Sequence, residues 1–165
     1  MIDTHSHIYL SDFEQDLDEV LSRASEAGLT DICMPAIDFN SLKHMEKLHH
    51  KSIRFHKMVG IHPCEVKTFE GDALLKQLME RASLKEIIGI GETGLDYYWS
   101  TDFAEEQRSS LRIHCAVSKD LQKPIVLHNR ESTSDLLKII EKEQDGRLEG
   151  IWHCFNGSVD EGKRA

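Results

Sequence analysis

At 165 residues, 39% hydrophobic and 30% charged, the chain has material for one well-buried domain and too little for two. No apolar run reaches the length of a membrane span, and a formal charge of −9 argues against a basic stripe that grips long nucleic acid by neutralising phosphates. The chain opens Met1-Ile2-Asp3-Thr4-His5 without the basic and apolar regions of an export signal, and Cys33, Cys64, Cys115 and Cys154 form no Cys-x-x-Cys pair, so reduced core thiols and a cytoplasmic location are expected.

Strand-like apolar runs alternate with amphipathic helical patterns along the whole chain, which predicts parallel strands joined by crossover helices. The first strand is expected near Ile2 to His5. A helix follows with Phe13, Leu17, Val20, Leu21 and Ala24 on one face, a Ser11 to Glu14 capping box at its start and Gly28 beyond its end. Next come a strand near Asp31 to Ala36, a helix over Ser41 to His50 and a strand near Phe55 to Ile61. Leu74, Leu75, Leu78 and Met79 stripe a helix over Asp72 to Arg81, and Ile87-Ile88-Gly89-Ile90 forms a strand over Glu86 to Gly91. A longer helix over Ala104 to Leu121 stops before Pro124. Strands near Pro124 to His128 and Gly150 to His153 flank a helix over Thr133 to Glu143, and Ser158 to Ala165 opens a sixth helix.

Two architectures accommodate six βα units, an open doubly wound sheet and an incomplete TIM barrel. Strands lie about 4.8 Å apart, so in a flat sheet the first and sixth would end roughly 24 Å from each other. In a curving barrel wall their carboxyl ends converge. The choice therefore rests on whether the polar residues at those ends share one site.

His5 and His7 are two apart on a strand, so both imidazoles leave the same face. Glu92 follows an apolar run, where a carboxylate is costly to bury without a cation or several donors. His128 and His153 repeat the pattern at the ends of Ile125-Val126-Leu127 and Gly150-Ile151-Trp152. Taken singly, His5 and His7 are explained equally by hydrogen bonds at a strand end, His128 and His153 are better explained as hydrogen-bonded core or rim histidines than as ligands, and Glu92 is explained by an ion pair. Taken together, His5, His7, Glu92, His128 and His153 occupy the barrel face where catalytic residues collect, and their donor types suit a pair of divalent cations. Gly89-Ile90-Gly91-Glu92-Thr93-Gly94 also matches the dinucleotide-binding fingerprint, but no helix opens directly after it and its carboxylate would repel a pyrophosphate.

Five stretches then resemble the TatD family of metal-dependent hydrolases, a branch of the amidohydrolase-like TIM barrels. They are Ile2-Asp3-Thr4-His5-Ser6-His7, Gly60-Ile61-His62-Pro63, Ile90-Gly91-Glu92-Thr93-Gly94-Leu95-Asp96-Tyr97, Lys123-Pro124-Ile125-Val126-Leu127-His128-Asn129-Arg130-Glu131 and His153-Cys154-Phe155-Asn156-Gly157-Ser158. The resemblance implies an α/β, TIM-barrel-like fold with about six of eight βα units in residues 1–165 as a single partial domain. It further implies that His5 and His7 bind a first metal, that Glu92 bridges as the catalytic carboxylate, and that His128 and His153 bind a second. Two divalent ions, Mg²⁺, Zn²⁺, Mn²⁺ or similar, are the implied cofactors.

Deoxyribonuclease activity on phosphodiester bonds is the implied function, with DNA or other nucleic-acid ends as substrate and no membrane partner. The alternatives are hydrolysis of an acyl ester or amide, such as charged transfer RNA, and a non-catalytic metal- or nucleic-acid-binding protein. The second alternative arises because the family's last two strands, with a late aspartate in a Thr-Asp-x-Pro setting, do not occur in these residues, and Asp160 lies in the early sixth helix. Open edges on the first and sixth strands then predict self-association. Five residues stay open between substrate and scaffold roles: His62, which contacts a phosphate or leaving group or fixes the turn at Pro63; Arg130, which clamps a phosphate or pairs with a local acid; and Tyr97, Tyr98 and Trp99, which stack on bases or pack on a loop or the next helix.

Overall fold

The computed structural model describes residues 1–68 and 70–165. Its strands are β1 (Ile2–Asp3), β2 (Asp31–Met34), β3 (Arg54–Val59), β4 (Ile87–Asp96), β5 (Ile125–Arg130) and β6 (Gly150–Trp152). They form one parallel sheet in sequence order. Between them run α1 (Leu17–Glu26), α2 (Ser41–Met45), α3 (Gly71–Ala82), α4 (Ala104–Leu121) and α5 (Thr133–Glu143), with α6 (Val159–Arg164) last. The architecture is the expected TIM-barrel-like half-barrel, and its curl can be read directly. His5 just beyond β1 and His153 just beyond β6 stack ring on ring with centroids 3.5 Å apart, which strands at opposite edges of a flat sheet could not achieve.

β4 is central, and nine of its ten positions are buried. α4 covers it, placing Leu111, Cys115 and Val117 out of contact with water. Burying one such leucine contributes about 1.5–3 kcal/mol relative to an exposed one. The α4 and α5 bounds coincide with those read from periodicity, whereas α2 stops at Met45 rather than His50. The proposed Ser11 to Glu14 cap is not formed. Ser11–Phe13 is instead a separate 3-10 turn, and α1 starts after Asp16 without a side-chain cap. A true capping box stands at α6, where Ser158 and Glu161 satisfy each other's backbone.

The main departure is the length of β4. Glu92, expected just past the strand's end, lies well inside it, because the chain from Gly91 to Asp96 stays buried and paired. Its pairing with β5 slips between Ile90 and Thr93, a bulge of the kind that re-aims a side chain. Gly94 makes this packing feasible: its φ is +145°, and a Cβ there would run into the His128 carbonyl. The Gly89 to Gly94 run is therefore strand, not a phosphate-binding turn.

Candidate metal centre

Glu92 is only 2% exposed, and both of its oxygens face imidazoles. Oε2 lies 3.1 Å from His5 Nε2 and 3.2 Å from His7 Nε2, while Oε1 lies 3.0 Å from His128 Nδ1. Two groups have ligand atoms that all fall within 4.8 Å of one another: His5, His7 and Glu92, and His62, Glu92 and His128. β1, β3, β4 and β5 thus deliver side chains to one place from their carboxyl ends.

The hydrogen bonds around these rings fix where the protons sit. Burial pushes the Tyr9 phenol up to about 12, so it stays protonated and donates to the Pro35 carbonyl at 2.8 Å. Its oxygen then accepts from His7 Nδ1–H at 2.9 Å. The Nε2 of a neutral His7 consequently turns a lone pair toward the Glu92 carboxylate. A similar chain governs the other side. His62 Nδ1 accepts the Cys64 N–H at 3.2 Å, which leaves its proton on Nε2, 3.2 Å from His128 Nδ1. His128 Nε2 in turn donates to Asp96 Oδ2 at 3.0 Å, so its Nδ1 lone pair faces Glu92 Oε1.

Lone pairs aimed at a buried carboxylate repel it unless a cation or an added proton lies between them. Burial pulls the His128 imidazole down, but Glu92 and Asp96 outweigh it and raise its affinity for that proton. Burial likewise pushes Glu92 up, and the contacts with His128, His5 and His7 outweigh it, holding the carboxyl well below the usual carboxylate range. The donor set therefore fits divalent cations, which supply the positive charge without requiring extra protons. Tyr9 and Asp96 play the outer part, each accepting the far N–H of an imidazole whose near nitrogen is free to ligate.

The remaining expected residues fall as follows. His62 stands with His128, its Nε2 3.2 Å from His128 Nδ1, and burial, then the neighbouring His128, depress it to about 4. His153 is in neither ligand group. Its ring lies flat on His5, and its Nε2 is 3.3 Å from Cys154 Sγ. Arg130 is exposed and lays its guanidinium 3.6 Å over the Tyr98 ring.

Three contributors were not anticipated. Asp96 has a signal in hindsight, since it is four residues beyond Glu92 on the same face of an unbroken strand. Tyr9 similarly follows His7 by two. His114, fully buried in α4, accepts the Ile61 N–H at 3.0 Å and is 2.7 Å from the Ser110 carbonyl, anchoring the chain next to His62. Its only signal was a histidine on the apolar face of a helix.

Known proteins resemble the chain along nearly its whole length. Residues 2–165 match the family described as TatD related DNase. The chain is 30% identical over 162 residues to the uncharacterized metal-dependent hydrolase YabD of Bacillus subtilis, covering 97% of this chain and 62% of that one. It is 28% identical over 162 residues to the 3'-5' ssDNA/RNA exonuclease TatD of Musicola paradisiaca, covering 98% and 61%. Among solved structures, the TatD homolog YJJV of Escherichia coli superposes with a TM-score of 0.84 at 27% identity, covering 99% of this chain and 63% of that one. A TatD family hydrolase from Entamoeba histolytica gives 0.80 at 26% identity, covering 99% and 61%. The chain thus spans about three fifths of the length of the relatives it matches.

Proposed function

This chain belongs to the TatD related DNase family, and from that premise we propose that it is a metal-dependent hydrolase, a deoxyribonuclease cutting phosphodiester bonds at single-stranded nucleic-acid ends with two divalent ions. The observation that carries the reading is the buried Glu92 carboxylate, faced on both oxygens by imidazole nitrogens. His5, His7 and Glu92 would hold one ion, and Glu92 and His128 the other. His153 and His62 flank them, the first against His5 and the second against His128. Bound there, divalent cations supply Lewis-acid polarisation of a phosphoryl oxygen and a water of lowered pKa.

The chain's own groups do the rest. Tyr9 and Asp96 hold the His7 and His128 rings in the tautomer that offers a lone pair, and His62 keeps a proton at Nε2. Arg130, exposed at the end of β5, would take a phosphate oxygen of the substrate. The name of one relative, a 3'-5' ssDNA/RNA exonuclease, supports a single strand as substrate. A cytoplasmic site of action goes with the reading, since all four cysteines are free thiols, as a reducing compartment keeps them. No helix among the described residues is long and apolar enough to cross a membrane. We also propose that residues 1–165 act as one partial barrel that self-associates through the outer edges of β1 and β6, where Ile2 and Ile151 are exposed. A monomer in light scattering at high concentration would contradict the self-association.

The test of function is hydrolysis of a labelled single-stranded oligonucleotide with added Mg²⁺ or Mn²⁺, beside a matched acyl ester and an aminoacyl-RNA. Chelator-sensitive cleavage of the oligonucleotide is expected. Cleavage of the esters alone would overturn the phosphodiester assignment, and tight metal binding with no turnover on any substrate would mark a binding protein.

A further inference from the structure

The metal centre does not account for the aromatic pair just beyond β4. Tyr98 is 48% exposed and Trp99 71% exposed, their rings edge to face at 4.8 Å. The Arg130 guanidinium covers one face of Tyr98 at 3.6 Å and stands 5.3 Å from the Trp99 ring. Beside them a cavity of about 340 Å³, lined among others by Pro63, Val66, Asp96, Trp99 and Phe103, is of a size that takes small ligands. An indole this open to water forgoes the burial that usually retains a tryptophan.

We propose that Trp99, backed by Tyr98 and Arg130, is a stacking platform for a base of a single-stranded nucleic acid whose backbone reaches the metal centre. This inference rests on the nucleic-acid reading of that centre and names how the strand is held. Three observations carry it. A flat aromatic face beside a guanidinium is the combination that binds bases without regard to sequence, by stacking and by cation–π attraction. With 29 acidic against 20 basic side chains, the chain lacks the charge to hold a strand by phosphate neutralisation, so local stacking must supply the grip. Finally, the platform is tied to the centre by one carboxylate. Asp96 Oδ1 accepts the Tyr98 N–H at 3.1 Å while Oδ2 accepts from His128 at 3.0 Å. The strand must be single, because bases inside a duplex already stack on one another and offer no free face.

The chain has two tryptophans, so Trp152→Phe leaves Trp99 as the sole indole reporter. Its fluorescence is followed during titration with a phosphorothioate-linked single strand, an abasic strand of equal length and a duplex, so that binding is read ahead of turnover. The base-bearing single strand is expected to quench Trp99 and to bind roughly tenfold or more tightly than the abasic one. Trp99→Ala, in the otherwise unchanged protein, should erase that difference with metal content intact, and Trp99→Phe should restore most of it. Equal affinity for base-bearing and abasic strands, duplex binding as tight as single-strand binding, or an unquenched Trp99 would each overturn the platform. Quenching without cleavage of any oligonucleotide would instead remove the nuclease reading and leave the platform standing. Cleavage by Trp99→Ala at the wild-type rate and KM would do the reverse.

Discussion

Two buried carboxylates, at opposite ends of the same sheet, are satisfied in opposite ways. Asp31, at the start of β2 and 5% exposed, is gripped by Arg54 through two bonds of 2.8 Å and approached by His56 at 2.7 Å. The Arg54 bonds lead in holding its carboxyl well below the usual range. Glu92, inside β4, has ion-pair contacts among the described residues with His5, His7 and His128 only. A guanidinium is a permanent cation with a fork that fits a carboxylate. Imidazoles are neutral or charged as their surroundings demand, and when neutral they offer lone pairs. The first arrangement is closed and structural, whereas the second leaves positive charge to be brought in from outside.

The sharpest way to break that contrast is to neutralise each carboxylate in turn. Glu92→Gln should reduce hydrolysis and metal affinity by more than the roughly 100-fold that marks loss of an outer partner. Its melting temperature should stay near that of the wild type. Asp31→Asn should do the opposite, lowering the melting temperature in calorimetry while metal content per folded molecule holds. Equal metal content in Glu92→Gln and wild type would erase the distinction between the two ends.

Asp96→Asn comes next, with about 10–100-fold weaker metal binding by calorimetric titration, because His128 loses the acceptor that fixes its tautomer. Wild-type affinity in this variant would mean that Asp96 does not orient the ring.

Acid should separate the two ends further. Glu92 and Asp96 raise the proton affinity of His128 against the pull of burial, and that proton must leave before the nitrogen can ligate, so metal affinity falls as pH drops. The slope for one such proton is at most about tenfold per pH unit. Stability follows other groups: burial depresses His62 as well as His114, while the raised His128 works in the opposite sense. Burial depresses His114 to about 4, below its unfolded value of about 6.5. As pH falls the unfolded chain takes the proton first, so stability present above pH 6.5 is lost between there and pH 4, at no more than about 1.4 kcal/mol per pH unit. The depressed Asp31 carboxyl removes stability only below its unfolded value of about 3.9, so its loss begins where that of His114 ends. Urea unfolding at pH 7 and pH 5 checks this, and equal stability at both would contradict it.

Legibility from sequence tracks the range of the forces involved. Apolar runs ending in polar residues were enough to place His5, His7 and His128 near strand ends, and helix periodicity gave α4 and α5 their bounds. The continuation of β4 was hidden because Glu92-Thr93-Gly94 reads as a polar break. It is a strand only because the bulge at Gly91 and Glu92 and the walls of β3 and β5 bury it. With β4 cut short, the alternation from Glu92 to Asp96 could not be followed. The placing of His62 against His128, and of His153 against His5, depends on the curl of the sheet, which no local pattern encodes.

The most direct test of the central claim is anomalous diffraction from crystals grown with Mn²⁺. Peaks are expected within coordination distance of Glu92, one beside His5 and His7 and one beside His128. Manganese located elsewhere, with Glu92 and its imidazoles still in direct hydrogen-bond contact, would contradict it.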